Sequence, residues 1–212
     1  MAFNRNGYGQ VEPTQLSAQK TGQIYASLPL DDEVNVLQNG EFMYYDQANG
    51  TVNSGKAAVE GVSVATLGEP MLVFNEIKLY EPFWRTSYKD FAMIRVGDNY
   101  VTAGLATAEY GENSNVAQAS YQNHGYEYGY RMKGFAPRLF KTNVGDIYYT
   151  NMVKTGDSVT YAVGDTLTPV KNTTSKTLVL EKTSATTGML WQVAKVGTMP
   201  DGQPGLKLQR VQ

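Results

Sequence analysis

The segment Arg138–Val153, RLFKTNVGDIYYTNMV, decides how this chain of 212 residues is read. Val144, Gly145 and Asp146 separate two runs of strand-forming residues, so the segment reads as strand, tight turn, strand, with Leu139, Ile147, Tyr149 and Val153 available for a core. Glycine takes the positive φ that a turn between strands often needs, and aspartate hydrogen-bonds nearby backbone N–H groups. The pattern VGDxYxT recurs 48 residues earlier, where Val96, Gly97 and Asp98 lead into Asn99, Tyr100, Val101 and Thr102. A degraded third copy stands at Val163, Gly164 and Asp165. The repeat is first of all a turn signal.

Composition agrees with a β protein. Fifteen tyrosines accompany abundant Gly, Thr, Val, Asn and Gln, and no long amphipathic helical window is present. At this length about 70% of the unfolded surface can be buried, so no covalent staple is required. Cysteine is absent, which excludes disulfides, a thiolate nucleophile, zinc–thiolate sites and iron–sulfur clusters. The N-terminal stretch lacks the apolar core of a secretory signal, and no segment approaches the ~20 apolar residues of a membrane-spanning helix. The net charge of −2 conceals an asymmetry: residues 26–110 carry twelve acids and five bases, and residues 111–212 carry seven acids and eleven bases. The bases are scattered singly, which disfavours nucleic acid as a partner.

Taken in order, residues 1–25 are polar and without period, and are expected to form an extended arm. Residues 26–136 read as a β-rich domain. Within it Asn39-Gly40 and Asn49-Gly50 are hairpin signals, and Phe42 and Tyr44 line one strand face. Strands are expected around Val62–Val64, Leu72–Leu79 and Phe91–Val96. Residues 104–136 are rich in Gly, Asn, Ser and Tyr and predict a long loop. Residues 137–212 read as a small antiparallel barrel, with strands at Val159–Val163, Leu178–Leu180, Met189–Val193 and Leu206–Leu208. Whether it is continuous with the preceding domain is left open by the sequence. The fold class expected is mostly β: an antiparallel barrel or sandwich with short hairpins.

The residues give little chemistry. The one histidine, His124, lies in a Gly/Tyr loop and no GxSxG elbow accompanies it, so a Ser-His-Asp triad is not indicated. No dinucleotide or phosphate loop is present, and no catalytic, metal or cofactor residue is assigned. A carboxylate-pair glycosidase survives only because any two acids at a suitable separation would serve. The best recognition surface is aromatic: Tyr121, His124, Tyr126, Tyr128 and Tyr130 in the long loop, with Phe3 and Tyr8 of the arm, form the candidate interface. Tyrosine offers large, rigid, amphipathic contact area, which suits self-association, partner binding or glycan stacking.

The arm SAQKTGQIYASLPL, the NG-rich meander, LVFNEIKLYEPFW, YKDFAMIRVGDNYV, FAPRLFKTNVGDIYYTNMV and the tail YAVGDTLTPVKN and GMLWQVAKV together resemble small virion structural proteins of tailed bacteriophages, most of all head decoration or cement proteins. The resemblance implies a non-enzymatic protein without cofactors, made in the bacterial cytoplasm and assembled into the virion. It would act as a homo-oligomer, often a trimer, on the lattice of the major capsid protein. A tail or fibre module binding a host glycan is the alternative that the Tyr cluster suggests.

Overall fold

The computed structural model describes residues 3, 5, 9–31, 34, 36–55, 68–75, 94–95, 136–172, 176–200 and 202–212. Among these residues strand accounts for 45% and helix for 4%, the mostly-β class expected. The strands are β1 (Val11–Gln15), β2 (Ile24–Tyr25), β3 (Val36–Leu37), β4 (Phe42–Asp46), β5 (Thr51–Asn53), β6 (Met71–Val73), β7 (Ile94–Arg95), β8 (Leu139–Phe140), β9 (Ile147–Thr150), β10 (Thr166–Asn172), β11 (Thr177–Lys182), β12 (Trp191–Thr198) and β13 (Pro204–Arg210). One short helix, α1 (Ser17–Thr21), lies between β1 and β2.

One antiparallel sheet, curled into a half-barrel, runs in the order β1-β9-β13-β12-β10-β11-β4-β6-β8-β2, with β5 paired to β4. A separate pair joins β3 to β7. The sheet takes strands from both sides of residue 137, because β11 pairs with β4 and β8 pairs with β6. The described strands of residues 26–136 and 137–212, whose continuity the sequence left open, are thus hydrogen-bonded into one sheet.

The N-terminal segment was expected to be an extended arm, and its described residues 11–15 and 24–25 are paired into the sheet. β1 lies against β9 at one end of the strand order and β2 lies against β8 at the other. Only residues 16–23 join them. With one helical turn included, that connection spans about 20 Å. Ten strands laid flat at ~4.8 Å spacing would hold their ends about 43 Å apart, so the sheet has to curl for both pairings to form. Leu16 and Ala18 of the connection are buried in the main core. The segment reads as polar because β1 is a sheet edge on which only Val11 is fully buried, and Pro13 is tolerated there.

Both described copies of the VGD element build the same turn. Gly145 and Gly164 have φ of 95° and 94°, a backbone region that side chains with a Cβ rarely enter. The Asp146 N–H donates to Asn143 O and the Asp165 N–H to Ala162 O. In return each carboxylate accepts the N–H three residues back, at 2.9 Å from Asn143 and 2.7 Å from Ala162. Each turn also docks on a neighbouring strand by a matched pair of bonds. Gly145 N–H donates to Arg210 O while Arg210 N–H donates to Asp146 O, and Gly164 and Asp165 make the equivalent pair with Val193. Asp146 goes further, accepting the Ser17 N–H at 3.0 Å and the Ser17 hydroxyl at 2.9 Å. The copy at Val96–Asp98 lies outside the described residues.

Two apolar cores form on opposite faces of β4, β6 and β8. Phe42, Leu72 and Phe140 face one, and Met43, Val73 and Leu139 face the other. Strands covered on both sides read as continuous apolar runs. The main core centres on Trp191, whose ring stands 5.0 Å from Tyr148, edge to face, and 5.9 Å from Phe42. Leu167, Leu180, Val193, Leu206 and Leu208 pack around it. Phe42 and Tyr44 share a face as alternation predicts.

Three expectations are corrected. In β9 the inward residues are Tyr148 and Thr150, while Ile147 and Tyr149 are half-buried. Pairing with Leu208 and Leu206 of β13 sets that phase. Asn39-Gly40 is not a hairpin: it is a corner between β3 and β4, where the Asn39 side chain exchanges bonds with the Asn75 backbone. Asn49-Gly50 does make the β4–β5 hairpin. Residues Val159–Val163 form no regular strand. There the Val159 carbonyl accepts the Phe3 N–H, and the Tyr161 hydroxyl turns back to donate to Lys154 O at 2.7 Å.

Leu16 distinguishes a built-in segment from an arm. Replacing it by Ala is expected to lower the stability measured by urea unfolding by roughly 2–5 kcal/mol, the range for emptying a core leucine site. A change within ~0.5 kcal/mol, as for surface positions, would contradict the placement.

Candidate functional site

A seam of buried polar groups runs where β4 begins, and residues 9–10, 38–41, 75, 150–152 and 177 meet there. Its backbone demands come from Gly40, which has φ of +93° and sits so close to residues 150–152 that an added Cβ would lie 2.6 Å from Met152 Cβ. Chain segments that approach this closely outside a regular ladder leave backbone groups to be satisfied by side chains. Gly9 N–H donates to Gln38 Oε1 and Gln10 N–H to Asn151 Oδ1, each at 2.7 Å. The Thr150 hydroxyl donates to Gln10 O at 2.6 Å and accepts the Met152 N–H at 2.9 Å. Asn75 Oδ1 accepts the Arg138 N–H at 2.8 Å.

Glu41 sits at the centre of the seam with no solvent exposure. Its carboxyl accepts the Gln38 N–H at 2.7 Å and the Thr177 hydroxyl at 2.8 Å. Burial pushes this carboxyl up to about 7, opposed by those two hydrogen bonds and by the Arg5 guanidinium. Buried Asp46 and half-buried Asp165 behave differently. Burial raises Asp46, but the Asn49 side chain and backbone and the Asn53 amide outweigh it and hold the carboxyl below its ordinary value. For Asp165 the Lys182 ammonium, 2.6 Å away, and the Ala162 N–H outweigh burial in the same way.

Beside the seam, on the face of β11 that carries Thr177, Val179 and Glu181, lies a cavity of about 300 Å³ lined in part by Arg5, Lys154 and Lys171. Lys154 Nζ pairs with Glu181 at 2.6 Å. Among the described residues no group of three or more His, Cys, Asp or Glu is arranged to hold a metal ion.

Of the candidate interface residues, the structure places Phe3 alone. It is buried, packs edge-on against Tyr161 at 5.2 Å, and bridges Gly156. Its ring therefore faces its own chain. Tyr8, Tyr121, His124, Tyr126, Tyr128 and Tyr130 lie outside the described residues. Sequence reasoning passed over Glu41, although an acid between the Asn39-Gly40 corner and the apolar run Phe42–Tyr45 is a signal of burial. Arg5 carries no such signal, since nothing in its polar surroundings marks it as lining a cavity.

No protein-family model, characterised protein or solved structure matches the chain.

The Glu41 carboxyl makes stability depend on pH. Unfolded, it releases its proton near its ordinary value of 4.5, and folded it keeps the proton up to about 7. The stability from the neutral carboxyl is complete below the lower value and is lost as pH rises toward the upper one. The melting temperature of the wild-type protein is expected to fall between pH 5 and pH 7.5 relative to Glu41→Gln, which cannot titrate. Parallel profiles in thermal denaturation would contradict the burial of this group.

Proposed function

We propose that this chain is a non-enzymatic structural protein that decorates and stabilises a bacteriophage capsid through contacts between subunits, as its resemblance to head decoration proteins implies. One observation supports the non-enzymatic part: among the described residues, the buried acids Glu41, Asp46 and Asp146 accept hydrogen bonds from turn backbone and from neighbouring hydroxyl or amide groups. A general acid or nucleophile has to present its oxygens to a substrate in a cleft. Here the oxygens hold corners of the fold, the use a scaffold makes of carboxylates. The Tyr-rich stretch, residues 104–136, and Tyr8 supply the subunit contacts in this reading, and copies of the same chain and the major capsid protein are the partners. Repetition over a lattice allows each contact to be modest, because many equivalent contacts act together.

Immunogold electron microscopy of virus particles from cells encoding the chain tests the assignment. Label regularly distributed over heads is expected. Label confined to tails or fibres would move the protein to the adhesion reading, and unlabelled particles would overturn a virion role.

A further inference from the structure

Among the described residues, the cavity on β11 carries an excess of positive charge. Arg5 has five N–H donors in a planar fork. Among the described residues its guanidinium donates to the thioether sulfur of Met152, a weak acceptor. The Glu41 carboxyl that acts on it electrostatically already accepts the Gln38 N–H and the Thr177 hydroxyl. Lys171, half-exposed on β10, has no ion-pair partner among the described residues. Lys154 is matched by Glu181. Among the described residues, three cations therefore line a space that contains one acid.

A guanidinium fork beside ammonium groups is the donor set for a planar or tetrahedral oxyanion, with Arg giving paired hydrogen bonds and Lys giving charge. At about 300 Å³ the space lies at the small end of ligand pockets, which suits a small anion. The pocket draws on β10, β11 and residues 152–155.

We propose that this cavity binds a small oxyanion, a phosphate or a carboxylate, through Arg5, with Lys154 and Lys171 at its rim adding to the positive field. The site does not depend on the capsid reading. A carboxylate occupant would come from a partner's acidic side chain, and a phosphate occupant from solution.

The test is thermal shift and calorimetric titration of the full chain with sodium phosphate and, separately, sodium acetate, each against sodium chloride at equal ionic strength. Saturable binding of either anion is expected, weakened roughly tenfold or more in Arg5→Gln, the scale of losing a charge-assisted contact, and by about two- to threefold in Lys171→Gln, the scale of losing a rim charge. Lys171→Gln, a half-exposed strand position, keeps the test valid if Arg5→Gln does not fold. Tighter binding of phosphate names a free ion as the source, and tighter binding of acetate names a partner carboxylate. Responses no different from chloride, or saturable binding unchanged in a folded variant, would overturn the site.

Discussion

The two ends of the curled sheet are held within reach of each other by residues 16–23, and the rest of the fold depends on that connection. β1 and β2 each add backbone hydrogen bonds to a strand end that would otherwise offer an open ladder. Between them Leu16 and Ala18 enter the main core beside Tyr148 and Trp191. Ser17 is fixed polar group by polar group. Asp146 accepts its N–H and hydroxyl, and the Asn143 amide donates to its hydroxyl oxygen at 2.6 Å. The carboxylate that shapes the Asn143–Asp146 turn is thus also the anchor for the connection. Loss of Asp146 would disturb a turn, a strand junction and the sheet end together.

Burial on two faces of β4, β6 and β8 raises a second demand. Apolar side chains leave each strand alternately toward one core and the other, so polar backbone at the corners has little access to water. Side chains answer it: Asn39 pairs with Asn75 much as two strand residues would, and Glu41 ties the Gln38 corner to Thr177 on β11. Buried networks of this kind stabilise only when fully satisfied, and an unpaired member costs more than an apolar replacement would. Glu41 relaxes the demand by favouring its neutral form, at a point where Arg5 connects the seam to the charged cavity. Fold and proposed binding site therefore share one residue pair.

Much of the β architecture was legible because it rests on local rules. Trp191 and Val193, or Leu206 and Leu208, alternate clearly with polar neighbours, and the Gly and Asp of the VGD turns have one obvious use. The phase of β9 was not legible, since Ile147, Tyr148 and Tyr149 offer apolar surface on both faces and only pairing with β13 chooses between them. The pairing of residues 11–25 was not legible for a physical reason: an edge strand with one buried residue and a five-residue helix show too little periodicity to separate them from a free arm. The candidate site was less legible still. Phe3 was identified as a contact residue and contacts its own chain, whereas the seam and the cationic cavity gather residues that stand more than a hundred positions apart.

Native-state hydrogen exchange, followed residue by residue, tests the central claim most directly. If the N-terminal segment is integral to the curled sheet, the paired amides of β1 and β2 should exchange only through the same global opening as those of β9 and β13, with matching free energies and matching denaturant dependence. Exchange of β1 and β2 amides through a separate opening of much lower free energy and little denaturant dependence, with β9 and β13 still protected, would show a dispensable arm and contradict the account.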